Sequence, residues 1–192
     1  MGELLFVRHT ETACTLAGRF CGDCETELTD DGLDAARQLG ARWRGPVLAL
    51  RTAPARRARQ TAEALAAALA VPCAVDERLA ETRFGAWEGR SPAEVDGTAE
   101  YRAWVQDPVL YAPPGGEAGV EVLARALAAV RDMLATWPGG RVAVVSHKHV
   151  IRLLVAYAAG LPLRRYRSDV PLPPGAVVTL VGGPDGLRVT GP

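Results

Sequence analysis

A chain of 192 residues, 48% hydrophobic and 23% charged, has ordinary globular composition and the length of one domain with a substantial core. Its 22 basic and 22 acidic residues cancel, so nothing in the charge balance points to nucleic acid or an anionic membrane as a partner. No apolar run approaches a transmembrane span, and the short apolar start lacks signal-peptide form, so a soluble cytoplasmic protein is expected.

Leu4, Leu5, Phe6 and Val7 are too few for a buried helix and place a first strand over residues 3–7. Residues 10–29 are polar and glycine-bearing and read as a long loop, a length usually tied to function. Thr29 or Asp30 then caps a helix whose acidic start suits the positive end of its dipole. Leu33, Ala36, Leu39, Gly40 and Trp43 share one face of it, and Gly45-Pro46 breaks it. A second strand is expected over 47–50. Thr52-Ala53-Pro54 reads as the cap of a helix running to about Ala70, with Arg56, Arg57 and Arg59 near its start. Residues 73–75 form a short strand.

The segment 77–116 is less regular and reads as a lid-like insertion over the sheet edge. Within it a short helix opens at Ser91-Pro92 and another covers about 97–106. Residues 117–137 form the clearest amphipathic helix, with Val120, Leu123, Leu127, Val130, Leu134 and Trp137 at threes and fours. A strand at 142–146 and a helix at 148–159 follow. Residues 177–181 and 187–189 flank a glycine-rich turn at 182–186 and read as a hairpin. Strands alternating with helices predict a single α/β domain over 1–192: a mostly parallel central sheet with helices on both faces, in three α/β/α layers.

Two of the three histidines, His9 and His147, directly follow apolar strands. In a parallel sheet the carboxyl ends of the strands share one edge, where α/β proteins bind ligands, so the two are expected to meet. Arg8, Arg57 and two helix starts at that edge favour an anion, and a forked guanidinium fits phosphate best. A neutral imidazole can attack phosphorus, and a carboxylic acid must protonate the leaving alkoxide. Glu81, close to Phe84 and Trp87, is the best candidate for that acid. This chemistry requires no metal. His149 is expected to cap its helix or face solvent. Lys148 is the chain's only lysine, and asparagine is absent. Cys14, Cys21, Cys24 and Cys73 do not form a disulfide scaffold, and Cys21-Gly-Asp-Cys24 lacks the partners of a zinc site, so it reads as a reduced loop.

Five motifs in order then read together: Arg8-His9-Thr10-Glu11-Thr12, Arg57-Ala58-Arg59-Gln60-Thr61, the run from Glu81 to Gly89, Pro114-Gly115-Gly116-Glu117, and Ser146-His147. With them the chain resembles the histidine phosphatase superfamily in its phosphoglycerate-mutase-like branch. The resemblance implies that fold, with His9 as the phosphorylated nucleophile and Glu81 as proton donor. It implies that Arg8, Arg57 and His147 hold the phosphoryl group, that no cofactor or metal is used, and that the partner is a small phosphomonoester. A monomer or homodimer is expected.

The departures bear on substrate. Thr10 replaces a glycine, Thr15 stands where many members place a phosphate-touching asparagine, and Lys148-His149 replaces a glycine pair. Lys148 could meet a second anionic group on the substrate. Because 90–116 is short and not basic, a phosphatase is favoured over a mutase. The compact form is similar to α-ribazole phosphatases and to broad-specificity enzymes. A non-catalytic binder of phosphorylated ligands is the alternative of another class, and it would need neither His9 nor Glu81.

Overall fold

The computed structural model describes residues 1–183 and 186–190. In chain order the elements are β1 (Gly2–Arg8), α1 (Ala13–Leu16), α2 (Asp30–Arg42), β2 (Ala49–Thr52), α3 (Arg56–Leu69) and β3 (Cys73–Val75). Then come α4 (Pro92–Val95), α5 (Ala99–Gln106), α6 (Gly119–Thr136), β4 (Arg141–Ser146), α7 (Lys148–Ala158), α8 (Tyr166–Asp169), β5 (Val177–Gly183) and β6 (Gly186–Thr190).

The six described strands form one sheet in the order β3-β2-β4-β1-β5-β6. The first four strands run parallel, and β5 and β6 add an antiparallel hairpin beside β1. The chain steps one way across the sheet through α2 and α3 and back through α6 and α7. Right-handed crossovers between the parallel strands therefore put α2 and α3 on the face opposite α6. The contacts agree: α2 packs on α3, which covers β2 and β4, while α6 and α7 pack together against β1. The three-layer α/β/α reading holds.

β1 and β4 lie at the centre and are covered on both faces. This is why they read as unbroken apolar runs rather than alternating ones. Phe6, Val7, Val144 and Val145 are fully buried there. Their register pairs Arg8 with Ser146 and lets the His9 N–H donate to the Ser146 carbonyl at 3.0 Å. The two strands thus end at one level. A second, smaller core joins Phe20, Phe84, Trp87, Val95 and Trp104 over that end of the sheet.

Several local expectations shift. β2 begins at Ala49, not residue 47, because its register on β4 starts at Val142, and Leu48 points to solvent. Thr52 is the last residue of β2 rather than a helix cap; Ala55 occupies the cap of α3 with no side-chain bond. The long loop contains α1, closed by a Thr12–Thr15 capping box. Thr29 caps α2 through the Gly32 N–H at 3.0 Å. The buried stripe of α6 runs through Val122, Leu123, Ala126, Ala129, Val130 and Met133, and Val120 is exposed. Small alanines mark its centre, so the spacing of large residues alone misplaces it. The hairpin strands extend to Gly183 and Gly186, and Pro184 and Asp185 of the expected turn lie outside the described residues. No helix among the described residues is long and apolar enough to cross a membrane.

Candidate active site

His9 leaves β1 only 4% exposed. Its Nδ1 lies 2.8 Å from the Thr10 carbonyl. A carbonyl only accepts, so Nδ1 carries the proton and Nε2 keeps its lone pair. Burial first, and Arg57 second, lower the imidazole to about 3, which keeps it neutral at ordinary pH. The His147 ring stands 5.1 Å away, edge to face. His147 occupies the cap of α7 and is fully buried, and neither ring nitrogen has a hydrogen-bond partner in the described protein. Burial, followed by Arg57, holds its imidazole well below the usual value.

Two arginines complete this edge. Arg8 donates through Nη1 to the Leu172 carbonyl at 2.7 Å, leaving its buried Nε unpartnered. Burial lowers its guanidinium to about 10, so it stays charged. Arg57, on the first turn of α3, is 1% exposed. It donates to the carbonyls of Cys24, Cys21 and Gly22 at 2.7, 2.9 and 3.0 Å, which locks its fork against the loop.

That loop is held from the other side by Glu88. Its carboxylate accepts from the N–H groups of Gly22, Asp23 and Phe84 at 2.9–3.1 Å, and from the Cys24 thiol at 3.2 Å. The remaining motif residues position rather than react. Gln60 accepts from the Leu28 N–H at 2.9 Å. Thr61 accepts from the Thr10 N–H at 3.2 Å, and the two hydroxyls lie 3.3 Å apart, which seats Thr10 at the expected glycine position. Gly85, at φ +52°, lies where a Cβ would strike the backbone of Pro114 and Gly115, so two motifs interlock.

Glu81 is brought in by Ser146, whose hydroxyl donates to the Leu79 carbonyl at 2.8 Å and ties that turn to the end of β4. One carboxylate oxygen accepts from the Thr82 N–H at 2.9 Å, the other from the His149 N–H at 3.3 Å. His149 Nδ1 lies 3.4 Å from the same oxygen. Burial opposes ionisation of Glu81, but His149, His147 and the Thr82 N–H favour it and hold the carboxyl well below the usual range. Burial in turn pulls His149 down against the pull of Glu81. The two groups thus compete for charge, and an approaching anion would draw a proton onto the pair.

His149 therefore neither caps α7 nor faces solvent. Its ring packs 5.2 Å from Phe84 and 5.9 Å from Tyr166. Its place two residues after the cap offered a signal, since the N–H there is free to meet a carboxylate. Thr15 lines the cleft, but its hydroxyl donates to the Thr12 carbonyl at 2.8 Å. Lys148 lines the cleft with Arg152 and Arg167, neither of which the sequence singled out. Arg56 pairs with Glu27 at 2.9 Å and Arg59 is exposed, both away from the site. The four cysteines are free thiols, and no group of three metal-ligating side chains is assembled among the described residues. The cleft holds about 370 Å³.

Order, spacing and geometry together match a known family: the model of the histidine phosphatase superfamily (branch 1) covers residues 4–191. The chain belongs to this superfamily. It is 37% identical over 163 residues to a bifunctional protein of Mycobacterium tuberculosis, across 81% of this chain and 44% of that one. The chain therefore spans less than half the length of that relative. It is 34% identical over 173 residues to glucosyl-3-phosphoglycerate phosphatase of Mycolicibacterium vanbaalenii, across 84% of this chain and 76% of that one. Bacillus stearothermophilus YhfR has the same fold, with a TM-score of 0.89 at 31% identity over 98% of this chain and 95% of that one. The histidines, arginines and Glu81 expected at the sheet edge all line or adjoin this one cleft.

Proposed function

We propose that the chain is a phosphomonoester phosphatase that works through a phosphohistidine on His9, without a metal. The observation that carries this reading is the His9 tautomer, with Nδ1–H on the Thr10 carbonyl and Nε2 free beside His147. The unpartnered buried nitrogens of Arg8 and His147 support it, since orphaned donors in a cleft are costly unless an anion meets them.

In this reading the phosphoryl group sits between Arg8, Arg57 and His147. The Nε2 lone pair attacks phosphorus in line, the bond to the ester oxygen breaks, and Glu81 supplies the proton that the leaving alkoxide takes. The arriving dianion raises the Glu81–His149 pair, which puts that proton in place. Arginines and His147 stabilise charge on the equatorial oxygens, the role a metal serves elsewhere. Water then attacks the phosphohistidine, giving its proton to the Glu81 carboxylate. The P–N bond breaks, and phosphate and neutral His9 are released. Lys148 contributes to substrate binding, whereas Thr15 can touch phosphate only by giving up its bond to Thr12.

Segment 90–116 brings Pro92 and Trp104 to the cleft but no cation, which supports hydrolysis over mutase transfer. Named phosphatase relatives support the same choice. The test is turnover of p-nitrophenyl phosphate and glycerol 3-phosphate in excess chelator, with trapping of an acid-labile phosphoenzyme. His9→Ala should lose at least about a thousandfold in rate and all trapped label. Normal turnover in that variant, or loss of activity with chelator, would sink the reading. Primer-dependent isomerisation of 3-phosphoglycerate would replace phosphatase by mutase.

A further inference from the structure

The turn Cys21-Gly22-Asp23-Cys24 is held from both sides. The Gly22 and Asp23 N–H groups and the Cys24 thiol donate to the Glu88 carboxylate, while the Cys21, Gly22 and Cys24 carbonyls accept from the Arg57 fork. The turn also carries two thiols that the proposed chemistry leaves unused. The Cys21 thiol meets those of Cys24 and Cys14, and its Sγ lies 4.0 Å from the Cys24 carbonyl and 3.9 Å from Thr26 Oγ1. Cys14 and Cys21 line the cleft, so a small solute reaches the turn. Cys73, the fourth cysteine, is exposed on the edge strand β3.

The chain bends at Gly22 and Asp23, which brings the two thiols of the turn together. A disulfide sets its sulfurs about 2.0 Å apart, well inside the contact of two separate thiols. On closure the Cβ atoms approach, and each cysteine carbonyl turns with its own Cα. Both of those carbonyls are partners of Arg57, so closure withdraws them from its fork and takes the Cys24 S–H off Glu88. Burial first, then Cys14 for Cys21 and Glu88 for Cys24, pushes the two thiols up. Protonated thiols attack slowly and leave poorly, so such a bond forms slowly and persists once made.

We propose that Cys21 and Cys24 form a reversible disulfide that releases Arg57 and lowers turnover, with a low-molecular-weight disulfide as the oxidant. One cysteine sulfur attacks a sulfur of the small disulfide, whose S–S bond breaks, and one small thiol leaves. The second cysteine sulfur then attacks the first, and the other small thiol leaves. Two protein thiols are oxidised, one small disulfide is reduced, and the two protein protons depart on the two small thiols. The effect on turnover rests on the phosphatase reading; the disulfide and its release of Arg57 do not.

The test separates the two. The unaltered protein is equilibrated with oxidised glutathione and blocked with N-ethylmaleimide for peptide mass analysis. Turnover of p-nitrophenyl phosphate and calorimetric binding of inorganic phosphate are measured in parallel. The expected result is a linked Cys21–Cys24 peptide, a fall of about tenfold or more in both rate and phosphate affinity, and recovery of both with dithiothreitol. Under the same treatment Cys24→Ser should keep its own rate, whereas Cys14→Ser and Cys73→Ser should lose theirs as the parent does. Melting midpoints within about 3 °C of the parent qualify each variant as folded, and Cys21→Ser serves if Cys24→Ser does not fold. Glutathione adducts alone, linkage through Cys14 or Cys73, or free thiols throughout overturns the pair. Linked protein that keeps its phosphate affinity or its measured rate overturns the release of Arg57. Linkage with a fallen phosphate affinity, in a protein that never hydrolyses p-nitrophenyl phosphate, would sink the phosphatase reading and keep the disulfide.

Discussion

Glu88 is the residue whose removal the geometry prices most directly. Its half-buried carboxylate receives three backbone N–H groups and the Cys24 thiol, and so joins the 21–24 loop to the Phe84 turn. A hydrogen bond to a charged acceptor contributes about 1.5–3 kcal/mol net. In Glu88→Ala the N–H of exposed Asp23 finds water, while those of Gly22 and buried Phe84 lose their partner. Two such losses at the low end give about 3 kcal/mol. For a chain of this size that is a fall in melting midpoint of roughly 6–12 °C. Arg57 is held by three carbonyls of the same loop, so turnover under the proposed phosphatase reading should fall about tenfold or more as its fork loses alignment. Glu88→Gln keeps one acceptor oxygen but sets an amide N–H₂ against N–H donors, and should cost about half as much. Thermal melting and p-nitrophenyl phosphate turnover are measured on both variants. A midpoint within about 2 °C of the parent in Glu88→Ala would refute the claim that this carboxylate holds the loop.

Glu81→Gln should slow glycerol 3-phosphate hydrolysis by about 10²–10⁴-fold but p-nitrophenyl phosphate far less, because p-nitrophenolate leaves without a proton. Equal losses would remove Glu81 as the acid. The buried, neutral His9 makes stability depend on pH. Its folded value, about 3, lies below its unfolded value, so the unfolded chain binds the proton first as pH falls. That contribution is fully present well above about pH 6.5 and is lost as pH falls through that value, by about 1.6 kcal/mol between pH 6.5 and 5. Urea unfolding of His9→Asn at those two pH values should show a correspondingly shallower dependence, and an unchanged one would contradict the burial argument. Gly85→Ala and Gly89→Ala both place a side chain at positive φ, yet only the first strikes neighbouring backbone. Gly89→Ala should cost about 1 kcal/mol and Gly85→Ala at least twice that. Equal shifts in melting midpoint would mean the two motifs do not interlock there.

Within the site, charge is answered by backbone as much as by side chains. Arg8 and Arg57 both spend donors on carbonyls, which fixes their orientation without neutralising them. Arg125 combines such carbonyl bonds, to Arg78, Ala80 and Glu81, with an ion pair to Glu117 at 3.0 Å, and so supports the turn that carries the acid. The positive charge of Arg8 and Arg57 is thereby preserved for an anionic ligand in a chain of zero net charge.

What local sequence alone determined is what acts over short range. Apolar runs buried on both faces announced β1 and β4, and helices between strands implied a parallel sheet. Parallel strands end at one edge, so the sequence alone brings His9, Arg57 and His147 together. The tertiary structure decided everything that depends on a partner distant in the chain. The register of β2 follows from β4, and the buried stripe of α6 follows from which alanines meet the sheet. His149 became part of the site because Glu81 arrives beside it, 68 positions away. Arg152 and Arg167 look like ordinary surface cations in sequence. Only the packing of α8 and Trp104 against the cleft shows that their charge is turned inward. Periodicity reports which face of an element is buried; it carries no information about what that face will meet.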